Sequence, residues 1–255
     1  RALKNHELEV YFQPKMSLKT RTVSGVEALV RWSHPDYGLL EPDRFISLAE
    51  ETGLIVPMGE WILAEACRQC KVWHEQGCLD IPVAVNLSPR QFRDRDMVSH
   101  IQHILRQTGL PAQYLELELT ESALMSNAQD TIELISRLRK LGVSVQIDDF
   151  GTGYSSLEYL RIFQIDAIKI DRSFITNCHQ NPSDAAITQA VIRLGHSLKL
   201  RVIAEGVEQA EQLKVLEAEG CDEIQGHFYS RPLSAEDILL FLKKYPECSL
   251  EEGFT

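Results

Sequence analysis

The stretch VSVQIDDFGTG, residues 143–153, is an apolar run that ends in two aspartates and a loop with two glycines. The run has the length and composition of a buried strand, and Gly151 and Gly153 are typical of a turn. Because neighbouring side chains of a strand point to opposite faces, Asp148 and Asp149 can reach one site only where the strand ends and the backbone turns. Two interpretations stay open on this stretch alone: a functional pair of carboxylates, or a solvated Asp-Asp turn.

The length and composition describe a chain that can bury a large core. It has 255 residues, of which 44% are hydrophobic and 25% charged, as is typical of globular proteins. This length fits two average domains or one (β/α)8 barrel. No apolar run is long enough to span a membrane, and the N-terminus lacks the pattern of a signal peptide. Because the sequence starts at Arg1 rather than at Met, we expect a segment of a longer protein.

The net charge of −11 argues against binding of DNA or RNA duplexes, since no basic surplus neutralises phosphates. A small anion could still bind if much of the negative charge is gathered around metal ions. The six cysteines do not form the dense framework of a small secreted domain. We therefore expect free thiols and a cytoplasmic domain, in a full-length protein that could be anchored to a membrane.

Cys67, Cys70, His74 and Cys78 are spaced so that a zinc site is an alternative interpretation of one helix. The stretch is also an amphipathic helix in which buried cysteine is an ordinary small apolar residue. A single helix cannot easily place four ligands tetrahedrally around one ion, which favours the core interpretation.

Apolar runs of strand length recur along the whole chain, mostly alternating with helical patterns. The predicted strands are Leu8–Gln13, Thr22–Trp32, Pro82–Ser88, Tyr114–Thr120, Val143–Asp148, Ala167–Asp171, Arg201–Ala204 and Glu223–Gln225. The predicted helices are Asp43–Glu51, Pro57–Glu75, Asp96–Gln107, Ala128–Leu141, Ser156–Leu160, Ser183–Leu198, Gln209–Glu219 and Ala235–Lys244.

Alternation of this kind predicts a largely parallel sheet, and eight units in this length favour a closed barrel over an open sheet. The first two strands are joined by a link too short for a helical crossover, so we expect the first strand to be antiparallel. The sequence therefore predicts an α/β fold, a modified TIM (β/α)8 barrel. It would be a single domain over residues 1–245, followed by a polar tail at 246–255 that we expect to be frayed.

Polar side chains collect where the predicted strands end, the place at which barrel enzymes carry their chemistry. They are Glu27 and Arg31, Asn86 and Ser88, Glu118 and Glu121, Asp148 and Asp149, Lys169 and Asp171, Glu205 and Glu208, and Gln225. A single carboxylate after a strand is often a helix cap, but caps do not explain seven polar strand ends. Converging carboxylates repel one another unless cations neutralise them. Ligands that are all oxygens favour Mg²⁺ or Mn²⁺ over zinc, and a carboxylate placed like Asp148 could bridge two ions.

The order of these residues resembles the motifs of the EAL-domain cyclic di-GMP phosphodiesterases, over nearly the whole chain. The matching motifs are Gln13-Pro14, Glu27-Ala28-Leu29 with Val30-Arg31-Trp32, Asn86-Leu87-Ser88, Glu118-Leu119-Thr120-Glu121, Asp148-Asp149-Phe150-Gly151-Thr152-Gly153, Lys169-Ile170-Asp171, Ala204-Glu205-Gly206-Val207-Glu208 and Gln225-Gly226. The visible departure is Phe12, which stands where tyrosine is common, and we expect no consequence because both are large rings.

The resemblance implies hydrolysis of cyclic di-GMP to linear pGpG by two-metal activation of water, with two Mg²⁺ or Mn²⁺ ions. The implied metal ligands are Glu27, Asn86, Glu118, Asp148, Asp149 and Glu205, with Asp148 shared between the ions. The implied catalytic residues are Lys169, which positions or polarises the attacking water, Glu205, and Glu121, which braces the loop 150–156. The implied substrate-binding residues are Gln13, Arg31, Asp171 and Gln225.

The resemblance also implies partners other than the nucleotide. We expect a homodimer formed through the loop after Asp149, and sensory or GGDEF domains in the part of the protein that precedes this sequence.

Two other functions explain part of this pattern. A receptor that binds cyclic di-GMP without cutting it would use the same pocket, but its expected marker is a lost ligand or lysine, and none is lost. A different metal-dependent barrel enzyme, such as one acting on enolisable acids, also gathers carboxylates and lysines at strand ends. It explains the set of residues but not the order of the motifs.

Overall fold

A computed structural model describes residues 2–77, 80–94, 96–125, 128–153 and 157–244. Its strands are β1 (Leu8–Ser17), β2 (Val23–His34), β3 (Gly38–Leu40), β4 (Val83–Asn86), β5 (Leu115–Thr120), β6 (Ser144–Phe150), β7 (Ala167–Ile170), β8 (Arg201–Ala204) and β9 (Glu223–Gln225). Its helices are α1 (Ile46–Thr52), α2 (Ile55–Glu75), α3 (Pro89–Phe92), α4 (Met97–Thr108), α5 (Glu121–Met125), α6 (Ala128–Leu141), α7 (Leu157–Ile162), α8 (Arg172–Thr176), α9 (Pro182–Ser197), α10 (Ala210–Glu219) and α11 (Ala235–Lys244). The tail predicted at 246–255 lies outside the described residues.

The sheet closes on itself into an eight-stranded barrel, as predicted. Its order is β1-β9-β8-β7-β6-β5-β4-β2, and β1 also pairs with β2 to complete the ring. Neighbouring strands from β2 around to β9 are parallel, whereas β1 is antiparallel to both β2 and β9. The prediction of a modified barrel with an antiparallel first strand is confirmed. The ninth strand, β3, adds to β2 outside the ring.

Side chains along each strand alternate between the inside of the barrel and the layer between the barrel and the helices. In β5 the leucines at 115, 117 and 119 are fully buried and pack in the apolar layer between barrel and helices. Their neighbours Glu116 and Glu118 are just as buried but face the inside of the barrel, where both contact Lys15. Most barrels of this class fill the inside with branched apolar side chains. Here the inside is largely polar, and the apolar core surrounds it.

The helix α2 shows how the outer layer is built. Its buried positions recur every three or four residues, at Ile55, Met58, Ile62, Ala66 and Trp73 among others, which gives one apolar face. The Trp73 ring meets the Phe12 ring of β1 edge-on, with ring centroids 4.7 Å apart. Burial of such aromatic side chains contributes about 2 kcal/mol each, and this contact fixes the antiparallel strand against the helical layer.

The elements that the pattern did not predict are short and depend on local hydrogen bonds. They are β3, α3, α5 and α8, each of three to five residues. At α3 the Ser88 hydroxyl accepts from the backbone N–H of Gln91, and at α8 the Asp171 carboxylate accepts from that of Ser173. Such caps begin a helix too short to show a hydrophobic period.

The predicted end of the strand β6 was wrong by two residues. We expected the strand to stop at Asp148, but it continues to Phe150. Its pairing with β7 shifts between Ile147 and Phe150, and Asp149 adopts a left-handed backbone with φ of 53°. A bulge of this kind re-aims side chains without ending the strand. The two aspartates therefore share one site through a bulge in the strand rather than through a turn after it.

Candidate active site

Lys169 of β7 lies at the centre of the polar residues at the mouth of the barrel. Its side chain is buried, and its ammonium meets one carboxylate each from β2, β5 and β6 and one from the residue that follows β8. The distances from Lys169 Nζ are 2.5 Å to Glu118 Oε2, 2.6 Å to Glu205 Oε1, 3.3 Å to Glu27 Oε2 and 3.3 Å to Asp148 Oδ1. Parallel strands bring these residues together because their C-terminal ends all meet at one rim of the barrel.

The bulge in β6 adds a fifth carboxylate beside these four. Asp148, Asp149 and Glu205 each offer one oxygen, and these three atoms lie within 4.8 Å of one another. The backbone N–H of Asp149 donates to Asp148 Oδ1 at 3.0 Å, which holds the first carboxylate against the bulge. The Thr152 hydroxyl donates to the carbonyl oxygen of Asp149 at 2.9 Å and closes the turn that follows. We call Glu27, Glu118, Asp148, Asp149 and Glu205 the acidic cluster.

Two side-chain amides donate hydrogen bonds to Glu27, and a third amide holds one of these two. Asn86 Nδ2 donates to Glu27 Oε1 at 2.6 Å, and Gln225 Nε2 donates to Glu27 Oε2 at 2.6 Å. Gln225 also donates to Gln13 Oε1 at 3.0 Å, and Gln13 in turn donates to the carbonyl of Ser230 at 3.1 Å. The predicted residues Gln13, Asn86 and Gln225 therefore belong to one hydrogen-bonded chain with the acidic cluster.

Three other predicted residues lie around this centre. Glu121 is buried at the start of α5 and accepts from the backbone N–H of Gly151 at 3.1 Å. Asp171 caps α8, and its negative charge is one cause of the raised pKa of Asp149. Arg31 is buried in β2, where its guanidinium donates to the carbonyl of Val30 and lies 5.8 Å from the centre of the Tyr11 ring. Glu121 and Asp171 thus border the acidic cluster, while Arg31 contacts its own hairpin.

The five carboxylates of the acidic cluster cannot all be ionised when Lys169 supplies the positive charge among them. Burial raises the pKa of Glu118 to about 8, with Glu27 adding to the rise, although Lys169 and Lys15 oppose it. Burial and the charge of Asp148 raise the pKa of Asp149 to about 6. The pKa of Glu205 is raised well above its usual range, chiefly by burial, which Lys169 does not offset. Groups of like charge in a poorly solvated site resist ionisation in this way.

The pKa values of Lys169 and Glu27 shift in the directions that favour their charged forms. Burial opposes the charged form of Lys169, but Asp148, Glu118, Glu205 and Glu27 outweigh it and raise its pKa well above the usual value. Burial likewise opposes ionisation of Glu27, but Lys169 and the hydrogen bond from Gln225 lower its pKa. Lys169 is therefore a permanent cation and Glu27 a permanent anion at neutral pH.

The acidic cluster fits divalent cations on the chemistry of its donors. Five carboxylates against one ammonium give a formal charge of −4, which equals the charge of two divalent ions. Glu118 Oε1 is buried and accepts no hydrogen bond from the described residues, and Lys15 Nζ lies 3.6 Å from it. Carboxylate and amide oxygens are the ligands that hard divalent cations prefer. Within the described part of the chain, one group of acidic, His or Cys side chains is close enough together to hold an ion: Asp148, Asp149 and Glu205. Cys67, Cys70 and His74 do not form such a group.

The cysteines of α2 belong to the core instead. Cys67 and Cys70 are fully buried, and burial raises the pKa of each thiol to about 12, so both stay protonated. Cys70 Sγ lies 3.5 Å from His74 Nε2, which also contacts the carbonyl of Ile81. Cys78, the fourth residue of the zinc alternative, lies outside the described residues.

Two cavities flank the acidic cluster. A cavity of about 400 Å³ has a largely apolar wall and reaches the cluster at one end; its lining includes Leu29, Ile46, Ile62, Leu87, Asn86, Asp148 and Asp149. A smaller cavity of about 180 Å³ lies beside it, and its lining includes Gln13, Glu27, Leu29, Arg172, Glu205 and Gln225. Leu29 borders both cavities. The mouth therefore offers two lobes with the carboxylates near their junction.

The sequence interpretation missed a second set of charges below the acidic cluster. Three of these charges, Lys15, Glu116 and Glu223, are buried inside the barrel. The fourth, Arg201, is partly exposed at the start of β8 and pairs with both glutamates, while Lys15 pairs with Glu116. A signal was available, because Lys15 follows Gln13 by two positions, while Glu116 and Glu223 precede Glu118 and Gln225 by two. Strand residues two apart share a face, so these charges had to point into the barrel with the predicted site.

Known proteins resemble this chain over most of its length. A family model described as EAL domain matches residues 1–232. The signaling protein YkoW of Bacillus subtilis is 45% identical over 245 residues, which are 96% of this chain and 30% of that protein. Cyclic di-GMP phosphodiesterase NbdA of Pseudomonas aeruginosa is 47% identical over 244 residues, 96% of this chain and 31% of that protein.

A solved structure of the phosphodiesterase PaMucR in complex with c-di-GMP superimposes with a TM-score of 0.91 at 43% identity. The match covers 93% of this chain and 96% of that one. The curated relatives are longer, since the chain spans about 30% of the length of those it matches. Among the described residues, no helix combines the length and the apolar character needed to cross a membrane.

The fold, the polar strand ends and the match over residues 1–232 point to one assignment. The chain belongs to the EAL domain family.

Proposed function

We propose that this chain is a metal-dependent phosphodiesterase domain that hydrolyses cyclic di-GMP to linear pGpG. The observation that carries the proposal is the acidic cluster around Lys169, placed between two cavities at the barrel mouth. Two related proteins support the substrate: NbdA is named a cyclic di-GMP phosphodiesterase, and the PaMucR structure contains c-di-GMP.

The metal ligands in this proposal are the acidic cluster and Asn86. Glu27, Asn86, Glu118 and Asp148 would hold the first ion, and Asp148 with Asp149 the second, with Glu205 near it. When bound, Mg²⁺ or Mn²⁺ supplies a Lewis acid and a water of lowered pKa. Asn86 donates its amide N–H to Glu27, so its amide oxygen is left for a ligand role.

Lys169 and the amides would act on the phosphate and on the water that attacks it. The ammonium of Lys169 is fixed by four carboxylates and stays charged, so it can offset negative charge that develops on a phosphate oxygen. Gln225 and Gln13 hold Glu27 in one orientation and line the smaller cavity. Arg31 and Asp171 complete the proposed contacts to substrate, and Glu121 acts through the loop that begins at Gly151.

The two lobes of the mouth suit a molecule with two flat bases joined by a central phosphate ring. The larger lobe has an apolar wall that includes Leu29 and Ile46, and pockets that bind small molecules are mostly apolar with a few polar groups. A substrate that places one base in each lobe puts its phosphates against the acidic cluster at the junction.

The test is incubation of the purified chain with cyclic di-GMP and Mn²⁺ or Mg²⁺, followed by chromatography for pGpG. We expect pGpG with metal and none after chelation. Retention of intact cyclic di-GMP by a chain that binds it would support the receptor function instead. If the chain does not bind cyclic di-GMP and instead turns over an enolisable acid with metal, the result would support the other metal-dependent barrel enzyme.

We also propose that the chain works as a homodimer through the loop after Asp149, within a cytoplasmic part of a longer protein. The hydrogen bond between Glu121 and Gly151 supports this role of the loop, because it links the loop to the end of β5. Residues 154–156 of that loop lie outside the described residues. Sensory or GGDEF domains ahead of Arg1 are supported by a relative named bifunctional diguanylate cyclase/cyclic di-GMP phosphodiesterase MucR. Sedimentation of the purified chain with and without metal tests the dimer.

A further inference from the structure

Beneath the acidic cluster, three buried charged side chains and one partly exposed one form a compact layer that we call the floor network. The buried ones are Lys15, Glu116 and Glu223, and the partly exposed one is Arg201. Lys15 Nζ lies 2.7 Å from Glu116 Oε2. The Arg201 guanidinium joins the two glutamates, at 2.6 Å from Glu116 Oε1 and 2.9 Å from Glu223 Oε1. Two cations and two anions leave this layer without formal charge, so its three buried charges are balanced without a metal ion.

Lys15 makes a second contact that leaves the floor network. Its Nζ lies 3.6 Å from Glu118 Oε1, while Lys169 Nζ lies 2.5 Å from Glu118 Oε2. The Glu118 carboxylate is fully buried and is therefore bracketed by two ammonium groups, one on each oxygen. Rotation of this carboxylate would remove one oxygen from its cation in a site with little access to water, which makes rotation costly.

The barrel leaves room for the Lys15 side chain to cross it. Lys15 pairs with Gly25 on β2, and a Cβ atom at residue 25 would lie 3.2 Å from Lys15 Cε. A larger residue at 25 would press on the lysine stem. Glu116 holds the other end of the side chain, so the ammonium has one defined position below Glu118.

We propose that Lys15 is a positioning residue for the active site: it fixes the Glu118 carboxylate, together with Lys169, in the orientation that binds a metal ion. The inference rests on the proposed function of the acidic cluster and deepens it by naming a residue that acts from beneath. Partners that orient a metal ligand usually change metal affinity about 10–100-fold when they are removed.

The test compares Mn²⁺ binding by the wild type, Lys15→Met and Arg201→Met, measured by electron paramagnetic resonance of free Mn²⁺ without substrate. Lys15→Met keeps most of the length of the side chain and removes the ammonium that contacts Glu118. Arg201→Met is the matched control, since Arg201 is a cation of the same floor network that pairs with Glu116 and Glu223. Thermal unfolding in chelator shows whether each variant is folded, and Lys15→Gln replaces Lys15→Met if the latter is not.

We expect Mn²⁺ affinity to fall about tenfold in Lys15→Met and to stay near the wild-type value in Arg201→Met. At saturating Mn²⁺, KM for cyclic di-GMP should then be nearly unchanged in Lys15→Met. Equal Mn²⁺ affinity in wild type and Lys15→Met, or an equal loss in both variants, overturns the inference. Failure of the wild type to bind Mn²⁺ overturns both proposals. A wild type that binds Mn²⁺ but makes no pGpG overturns only the proposed function, because the binding comparison needs no substrate.

Discussion

Lys169 is an ammonium held by four carboxylates, which makes it a fixed positive charge rather than a proton acceptor. Lys169→Met keeps most of the side-chain volume and removes that charge. With saturating Mn²⁺ we expect kcat to fall about 100-fold or more, the usual effect of losing one group that stabilises charge in the transition state. The measurement is pGpG formation, together with Mn²⁺ binding to show that the metals remain.

Lys71→Met on α2 is the control, since the ion pair that Lys71 makes within the described part of the chain is with Glu75, one helical turn away at 3.3 Å. It should keep wild-type kcat. A Lys169→Met variant with wild-type kcat would remove Lys169 from the mechanism.

Asp149 combines a carboxylate in the acidic cluster with a left-handed backbone, φ 53°. Asparagine tolerates this backbone region better than most residues, so Asp149→Asn removes charge without strain. We expect the Mn²⁺ concentration for half-maximal activity to rise at least about tenfold. The exposed Asp36→Asn is the control for loss of one negative charge. An identical metal titration for wild type and Asp149→Asn would exclude Asp149 as a ligand.

At the scale of elements, a part-buried hydrogen bond joins α5 to the residue that follows β6. Glu121 Oε2 accepts from the N–H of Gly151, which has φ of 98° and closely approaches Phe174 of α8. Hydrogen bonds to charged groups contribute about 1.5–3 kcal/mol. Glu121→Ala should therefore speed hydrogen exchange at the Gly151 amide about tenfold or more, as measured by NMR.

Ser88→Ala is the matched control for this exchange experiment. It removes a hydroxyl that caps α3 at the end of another barrel strand and does not contact Gly151. Gly151 exchange should be unchanged in Ser88→Ala. If it is also unchanged in Glu121→Ala, Glu121 does not brace this loop.

The elements that local pattern determines were predicted closely. The bounds of α6, α11, β8 and β9 agree with the prediction residue for residue, because each is a regular run whose period and length are visible in the sequence. The alternation of strands and helices also placed Glu118 and Lys169 at strand ends, which a barrel gathers at one rim. The polar strand ends could therefore be identified as one site before their distances were known.

What the pattern could not supply depends on contacts between distant parts of the chain. A bulge at Asp149 needs a non-glycine residue at positive φ, which the surrounding structure imposes and composition does not reveal. Alternation shows that Lys15 and Arg201 face inward, but not that both pair with Glu116. Pairing partners across the barrel are decided by its closure, which no local window contains.

At the scale of the whole molecule, the polar interior makes the stability of the barrel depend on pH. Burial raises the pKa of Glu116, but Lys15 and Arg201 outweigh it and lower that pKa from 4.5 to about 2. A carboxyl whose pKa is lower in the folded state stabilises the fold above its unfolded pKa and loses that contribution as pH falls toward the folded value. The shift corresponds to about 3 kcal/mol, present above about pH 4.5 and lost progressively down to about pH 2.

Glu116→Gln should therefore be less stable than wild type at pH 7, and the gap should narrow as pH falls below about 4.5. Urea unfolding in chelator across this range measures it. The exposed Glu158→Gln on α7 is the control and should follow the wild type at every pH. A gap between wild type and Glu116→Gln that is constant with pH would show that Glu116 is not held as an anion by its two cations.

The antiparallel first strand decides on which side the polypeptide enters the barrel. Leu8 pairs with Trp32 near the C-terminal end of β2, so β1 begins at the rim that carries the acidic cluster. A parallel first strand would begin at the opposite rim. A fluorescent reporter fused ahead of Leu8 is therefore delivered beside the substrate entrance, where a short linker would let it report closure over the nucleotide and a bulky one would obstruct it.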